Sequence, residues 1–231
     1  TMPGYCDSAQ NKLNKFKSGY TVSYNPEFIA QGSILHDQAY PDMILIGEGS
    51  TEAGNILQEM YEKMTLNEPK INRMSPIEAE ITKLGLNCFL TTKISFANMI
   101  GDIVSFAGGN PDRVLSAIGS DSRVGKKYIG YGYGYGGPCF PRDNRALAIY
   151  AADIGVKALI SEASDKSNEQ HLEYQVQLFK QYNSIDVPVD FYYVSYKPQS
   201  TMLVESQQLL FAKKLTDEGY TVVLNERQTV I

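Results

Sequence analysis

Ser75-Pro76-Ile77-Glu78-Ala79-Glu80-Ile81-Thr82-Lys83-Leu84-Gly85-Leu86-Asn87-Cys88 opens the segment whose reading decides the fold. Serine followed three residues later by glutamate is a capping box, and proline at the first helical position lacks only an N–H that would find no partner there. The apolar periodicity behind it runs to about Phe106, where Gly108-Gly109-Asn110-Pro111 stops it. One helix of that length spans about 45 Å. It predicts a spine that joins two domains or builds a dimer.

Before the spine, residues 7–17 read as a helix, 21–24 and 42–47 as strands and 51–63 as a second helix. That alternation belongs to the last turns of a parallel α/β sheet. Thr1-Met2-Pro3-Gly4 reads as a strand-to-turn transition with no glycine-rich phosphate loop ahead of it, so only the end of such a sheet is expected. After the spine come helices over 111–119, 144–154 and 157–182, an all-helical middle. A new α/β unit then begins, with a strand in 189–196, a helix over 204–218 and a strand in 220–224, and Ile231 reads as an incomplete end.

The chain has 231 residues, 43% of them hydrophobic and 20% charged, which suits one or two globular domains. A net charge of −5 argues against a nucleic-acid surface, so small partners are expected. No apolar run reaches the ~18 residues of a membrane span and Thr1–Gly4 is no signal peptide, so the expected location is cytoplasmic, with no membrane partner. Cys6, Cys88 and Cys139 lie far apart with only His36 and His171 for company, which indicates neither a disulfide framework nor a metal site.

Chemistry concentrates between Tyr128 and Asp143. Five glycines in the eight residues 130–137 are costly to order, and a loop of this kind is retained where backbone must approach a ligand closely; a flexible linker is the alternative. Cys139 follows the loop and precedes a helix, where the helix dipole and a cation such as Arg142 would favour a thiolate. Cys6 and Cys88 read as buried, inert thiols. Lys83 and Asn87 stand four apart on one face of the spine, either as a solvated stripe or as an ammonium and an amide that stabilise an oxyanion. Asn25-Pro26-Glu27-Phe28 ends a strand and presents Glu27 either to a functional loop or to water.

Taken in order, Asn25-Pro26-Glu27-Phe28-Ile29-Ala30-Gln31-Gly32, Lys83-x-x-x-Asn87, Ser120-Asp121-Ser122-Arg123-Val124-Gly125, Gly134-Tyr135-Gly136-Gly137-Pro138-Cys139-Phe140-Pro141-Arg142-Asp143, Tyr196-Lys197-Pro198 and Glu205-Ser206 closely resemble the UDP-glucose/GDP-mannose dehydrogenase family. The resemblance implies an α/β protein with an all-α centre. Residues 1–74 would end an NAD-binding Rossmann domain, 75–184 would form a helical dimerisation and catalytic domain, and 185–231 would begin a Rossmann-like domain for the nucleotide sugar. The implied cofactor is NAD, its binding residues lying mainly upstream of Thr1, and the implied partners are a UDP-sugar and a second copy of the chain along the long helix.

The implied reaction is a four-electron oxidation, UDP-glucose to UDP-glucuronate, through a thiohemiacetal and a thioester on Cys139. Lys83 and Asn87 would stabilise the oxyanion, Asp143 with a water held by Thr1 would handle the alcohol proton, and Glu27 would serve thioester hydrolysis. Phe28, Ile29, Tyr131, Tyr135, Gly136 and Lys197 would hold the substrate, with Arg123 reaching across a dimer. GDP-mannose or a UDP-N-acetylhexosamine are alternative substrates, and a non-catalytic sugar-binding or dimerisation fragment is the alternative of another class. Gln31, Met43 and Val204 depart from the family's usual residues.

Overall fold

The computed structural model describes residues 2–29, 32–197 and 200–225. The chain divides into two compact units, Thr1–Leu86 and Asn87–Ile231.

The first unit contains α1 (Tyr5–Phe16), α2 (Ile34–Ala39), β1 (Met43–Gly47), α3 (Thr51–Met64), β2 (Lys70–Met74) and the start of α4 (Pro76–Phe106). Strands β1 and β2 pair in parallel, Met43 opposite Lys70 and Gly47 opposite Met74, so β1-α3-β2 is a βαβ unit. Ile44, Leu45 and Ile46 are buried, the continuous apolar run of a parallel strand covered on both faces. Gly47 ends β1 because a Cβ there would come within 2.8 Å of Ala79 Cβ, in the first turn of α4.

The capping box forms as expected: Glu78 accepts the Ser75 N–H at 2.8 Å and the Ser75 hydroxyl at 2.5 Å. The start of α1 is capped from a distance. The fully buried Glu80 carboxylate accepts the Gly4 N–H at 2.7 Å and the Cys6 N–H at 2.9 Å.

Two short elements differ from the sequence reading. Residues 21–24 form no strand beyond one antiparallel bridge between Tyr24 and Gly47, because the Val22 N–H is taken by Gln10 Oε1 at 2.7 Å. Strand β2 has no sequence signature: Lys-Ile-Asn-Arg-Met is too polar to show a strand period, and Arg73 is ion-paired with Glu48 at 2.6 Å.

The second unit contains the rest of α4, α5 (Pro111–Ser120), α6 (Phe140–Asp153), α7 (Leu159–Tyr182), β3 (Val189–Phe191), α8 (Gln207–Asp217) and β4 (Val222–Leu224). Strands β3 and β4 are parallel, with Val189 opposite Val222. Leu172 and Val176 of α7, Phe191, Val194, Phe211, Leu215 and Tyr220 form its core. Each such side chain contributes about 1.5–3 kcal/mol relative to exposure. Helix α8 begins three residues later than its periodicity suggests, because Glu205 takes a positive φ of 47° and Ser206 caps the helix through Leu209 N–H. No helix among the described residues is long and apolar enough to cross a membrane.

Candidate active site

Helix α6 begins at Phe140, a full turn earlier than its apolar pattern indicates, which makes Cys139 its N-cap. Pro141 sits in the first turn, where a missing N–H costs nothing. The Asp143 N–H closes the first helical bond onto the Cys139 carbonyl at 2.8 Å, and the thiol is exposed. A charge on that sulfur would face the positive end of α6.

The Arg142 guanidinium lies close enough to the same sulfur to interact with it electrostatically. Its Nε and Nη2 also hold Asp143 Oδ1 at 3.0 and 2.9 Å. Partial burial opposes the guanidinium charge, but Asp143 and Cys139 outweigh it and raise the Arg142 pKa above its ordinary value. The other oxygen of the buried Asp143, Oδ2, accepts from Asn87 Nδ2 at 2.6 Å. Thus Cys139, Arg142, Asp143 and Asn87 come together in the second unit, with the carboxylate fixed from both sides.

The glycine-tyrosine loop is pinned. Asn168 makes a reciprocal pair with the backbone of Tyr135, both bonds 2.9 Å, and the Tyr135 hydroxyl donates to Asp165 at 2.6 Å. Burial first, then Asp165, pushes that phenol far up. The Tyr131 hydroxyl donates to Asp102 at 2.9 Å, which also faces His171 Nδ1, while His171 Nε2 contacts the Gly132 carbonyl at 2.6 Å. Both phenol hydroxyls are therefore committed to carboxylates of the second unit.

Three glycines of the loop are fixed by their neighbours. A Cβ on Gly134 would overlap Asn168 Oδ1, one on Gly136 would overlap the Glu205 carbonyl, and one on Gly137 would meet the Tyr196 ring at 2.5 Å. Glu205 itself holds a backbone conformation that costs about 1–3 kcal/mol for a residue with a Cβ. Tyr196 has its phenol raised by burial and by Cys139, and Lys197 Nζ lies 5.7 Å from the Tyr196 ring centre.

Other expected site residues lie in the first unit. Lys83 Nζ donates to the Glu27 carbonyl at 2.8 Å and stacks over the Phe28 ring at 4.1 Å. The Glu27 carboxylate accepts from Gln38 at 3.1 Å, and Phe28 and Ile29 line an open pocket with Pro41, Met43 and Tyr61. Arg123, in the second unit, is exposed and bonded to Asp121 at 2.7 Å, which raises its pKa and lowers that of Asp121. Thr1 lies outside the described residues. No local sequence signal marks Asp102, His171 and Asn168, whose partners are 29 to 69 positions away.

The profile of the UDP-glucose/GDP-mannose dehydrogenase family, central domain, matches residues 77–170, and that of the family's NAD-binding domain matches residues 2–65. The chain belongs to this family. Among curated members it is 33% identical over 207 residues to UDP-glucose 6-dehydrogenase of Pseudomonas aeruginosa, which covers 87% of this chain and 45% of that protein. It is 32% identical over 204 residues to GDP-mannose 6-dehydrogenase of Pseudomonas putida, covering 87% and 45%. Among solved members, a UDP-glucose dehydrogenase of Pyrobaculum islandicum superposes with a TM-score of 0.89 at 33% identity, over 97% of this chain and 52% of that one. The chain thus spans about half the length of the relatives it matches.

The match to the family's NAD-binding domain implies NAD as cofactor. The described residues carry the βαβ unit β1-α3-β2, which suits the end of such a domain. No glycine-rich strand-to-helix turn for the pyrophosphate is among them. The literal Gly132-x-Gly134-x-x-Gly137 follows no strand, and its close approaches are filled by Asn168 and Tyr196.

Proposed function

We propose that the chain is part of an NAD-dependent UDP-glucose 6-dehydrogenase that makes UDP-glucuronate through a covalent intermediate on Cys139. The observation that carries this reading is the exposed Cys139 at the N-cap of α6, next to an Arg142 that is ion-paired with Asp143, which Asn87 fixes from α4. NAD, when bound, would accept one hydride in each of the two oxidations, two molecules being reduced per substrate.

In the proposed reaction the substrate hydroxymethyl group gives up its hydroxyl proton to a water oriented by Asp143 and the first hydride from its carbon, and becomes an aldehyde. The Cys139 sulfur adds to the aldehyde carbon, forming a C–S bond and an oxyanion that Asn87 and Lys83 stabilise. After the second oxidation the carbon is a thioester; water adds, assisted by Glu27, the C–S bond breaks and the thiolate leaves. Phe28, Ile29, the backbone of the Tyr131–Gly137 loop, Lys197 and Arg123 are proposed to hold the nucleotide sugar.

Residues 1–74, 75–184 and 185–231 are proposed as the end of the NAD domain, the helical centre and the start of the sugar-nucleotide domain. The proposed homodimer would use α4, whose Phe89, Phe96 and Ile103, seven apart, are 61%, 42% and 57% exposed. Light scattering of wild type and Phe96→Glu tests it: a dimer that the substitution splits is expected, and a wild-type monomer rejects it.

The full-length protein assayed with NAD on UDP-glucose, GDP-mannose and a UDP-N-acetylhexosamine tests the substrate. UDP-glucose is expected to give the highest kcat/KM. Preference for GDP-mannose would favour the reading suggested by the Pseudomonas putida relative, and oxidation of none of them would overturn the function.

A further inference from the structure

We propose that Glu205 is a positioning residue that fixes Cys139 by holding the polypeptide on both sides of it, an inference that rests on the reading of Cys139 as the nucleophile. Two residues before Cys139, the Gly137 N–H donates to the Val204 carbonyl at 2.9 Å. One residue earlier, Gly136 packs so closely on the Glu205 carbonyl that no side chain fits between them. Beyond Cys139, on the helix that it caps, Arg145 is ion-paired with the Glu205 carboxylate. The backbone of 204–205 therefore grips the loop that enters the cysteine, and the Glu205 side chain grips the helix that leaves it.

The gripping segment is itself anchored. Ser206, almost fully buried, donates to the Val194 carbonyl at 2.6 Å, beside β3, and its N–H is held by the Leu203 carbonyl at 3.1 Å. Between those bonds Glu205 has a φ of 47°, a left-handed conformation that a glutamate keeps only where its surroundings dictate it. That turn aims the carbonyl at Gly136 and the carboxylate at Arg145 from one residue. Cys139 is already exposed, so loosening this grip brings the thiol no useful access. It can only misalign the sulfur with the helix end and Arg142.

Amide exchange at Gly137 and alkylation of Cys139 by iodoacetamide, resolved by mass spectrometry and NMR, test this on the chain as wild type, Glu205→Gln, Arg145→Gln and the double variant. Each single variant is expected to speed exchange at Gly137 by about threefold to fivefold, the range for a half-exposed ion pair. Each should slow alkylation of Cys139 by about threefold. The double variant should do no more than either single one, since both remove the same pair. Cys6 and Cys88 should stay unlabelled, which a general loss of structure would not allow.

Unchanged Gly137 exchange in both single variants, effects that add in the double variant, or simultaneous labelling of Cys6 and Cys88 would each overturn the proposal. If Gly137 responds as expected but wild-type Cys139 reacts no faster than a cysteine in an unstructured peptide, the clamp stands and the nucleophile reading fails.

Discussion

Asn87 Nδ2 donates to Asp143 Oδ2 at 2.6 Å, tying the long helix α4 to the helix that Cys139 caps. Both residues are buried, Asp143 to 3% exposure, and the remaining carboxylate oxygen is held by Arg142. Replacing Asn87 by leucine leaves a buried carboxylate short of one donor. We expect a loss of about 2 kcal/mol in unfolding free energy, and more for Asn87→Asp, which sets a second carboxylate against the first. Urea denaturation measures both; an unchanged midpoint for both variants would show that the bond carries no weight.

The three thiols should separate cleanly by reactivity. Burial first, then Glu80, pushes the Cys6 thiol up to about 12. Burial pushes Cys88 up to about 11, although a hydrogen bond from Ser161 pulls the other way. At pH 8 the thiolate fraction of Cys6 is then about one part in ten thousand. Iodoacetamide should label the exposed Cys139 alone, and Arg142→Gln should slow that labelling by about threefold to fivefold. Peptide mass spectrometry reads both, and equal labelling of all three cysteines would refute the assignment.

Gly134 leaves no room for a methyl group, because Asn168 Oδ1 occupies that space while pairing with Tyr135. Gly134→Ala should break the Asn168–Tyr135 pair and cost about 2 kcal/mol. Thermal unfolding checks this, and a melting temperature within error of wild type would contradict it.

Glu78 sets an acid dependence on the start of α4. The Ser75 hydroxyl, then the Ser75 N–H, hold its carboxyl below the ordinary glutamate value. As pH falls the unfolded chain takes up this proton first, so the contribution is present above the unfolded value and is lost as pH falls through the lowered folded one. Melting curves of wild type and Glu78→Gln should differ most near neutrality and converge in acid. A difference that grows in acid would reverse the sign.

Where a feature is written in neighbouring residues, the sequence displays it. Ser75 to Glu78 predicts the start of α4, Gly108–Pro111 its end, and the apolar run 43–47 the strand β1. The sequence places Cys139 before a helix but hides its place as the N-cap, because Phe140-Pro141-Arg142 lacks an apolar period and Pro141 looks like a breaker. Strand β2 was hidden by its polar residues, and the late start of α8 by an unforeseeable left-handed Glu205. The partners of Glu80, Asp102, Asn168 and Glu205 lie 29 to 76 positions off, and tertiary packing alone selects them.

The covalent role of Cys139 is tested most directly by quenching the full-length protein during turnover of UDP-glucose with NAD and weighing its cysteine peptides. The account predicts a sugar-nucleotide adduct on the Cys139 peptide, none on those of Cys6 and Cys88, and no acid formed by Cys139→Ala. Acid formed by Cys139→Ala at the wild-type rate, with no adduct on the wild-type Cys139 peptide, would contradict it.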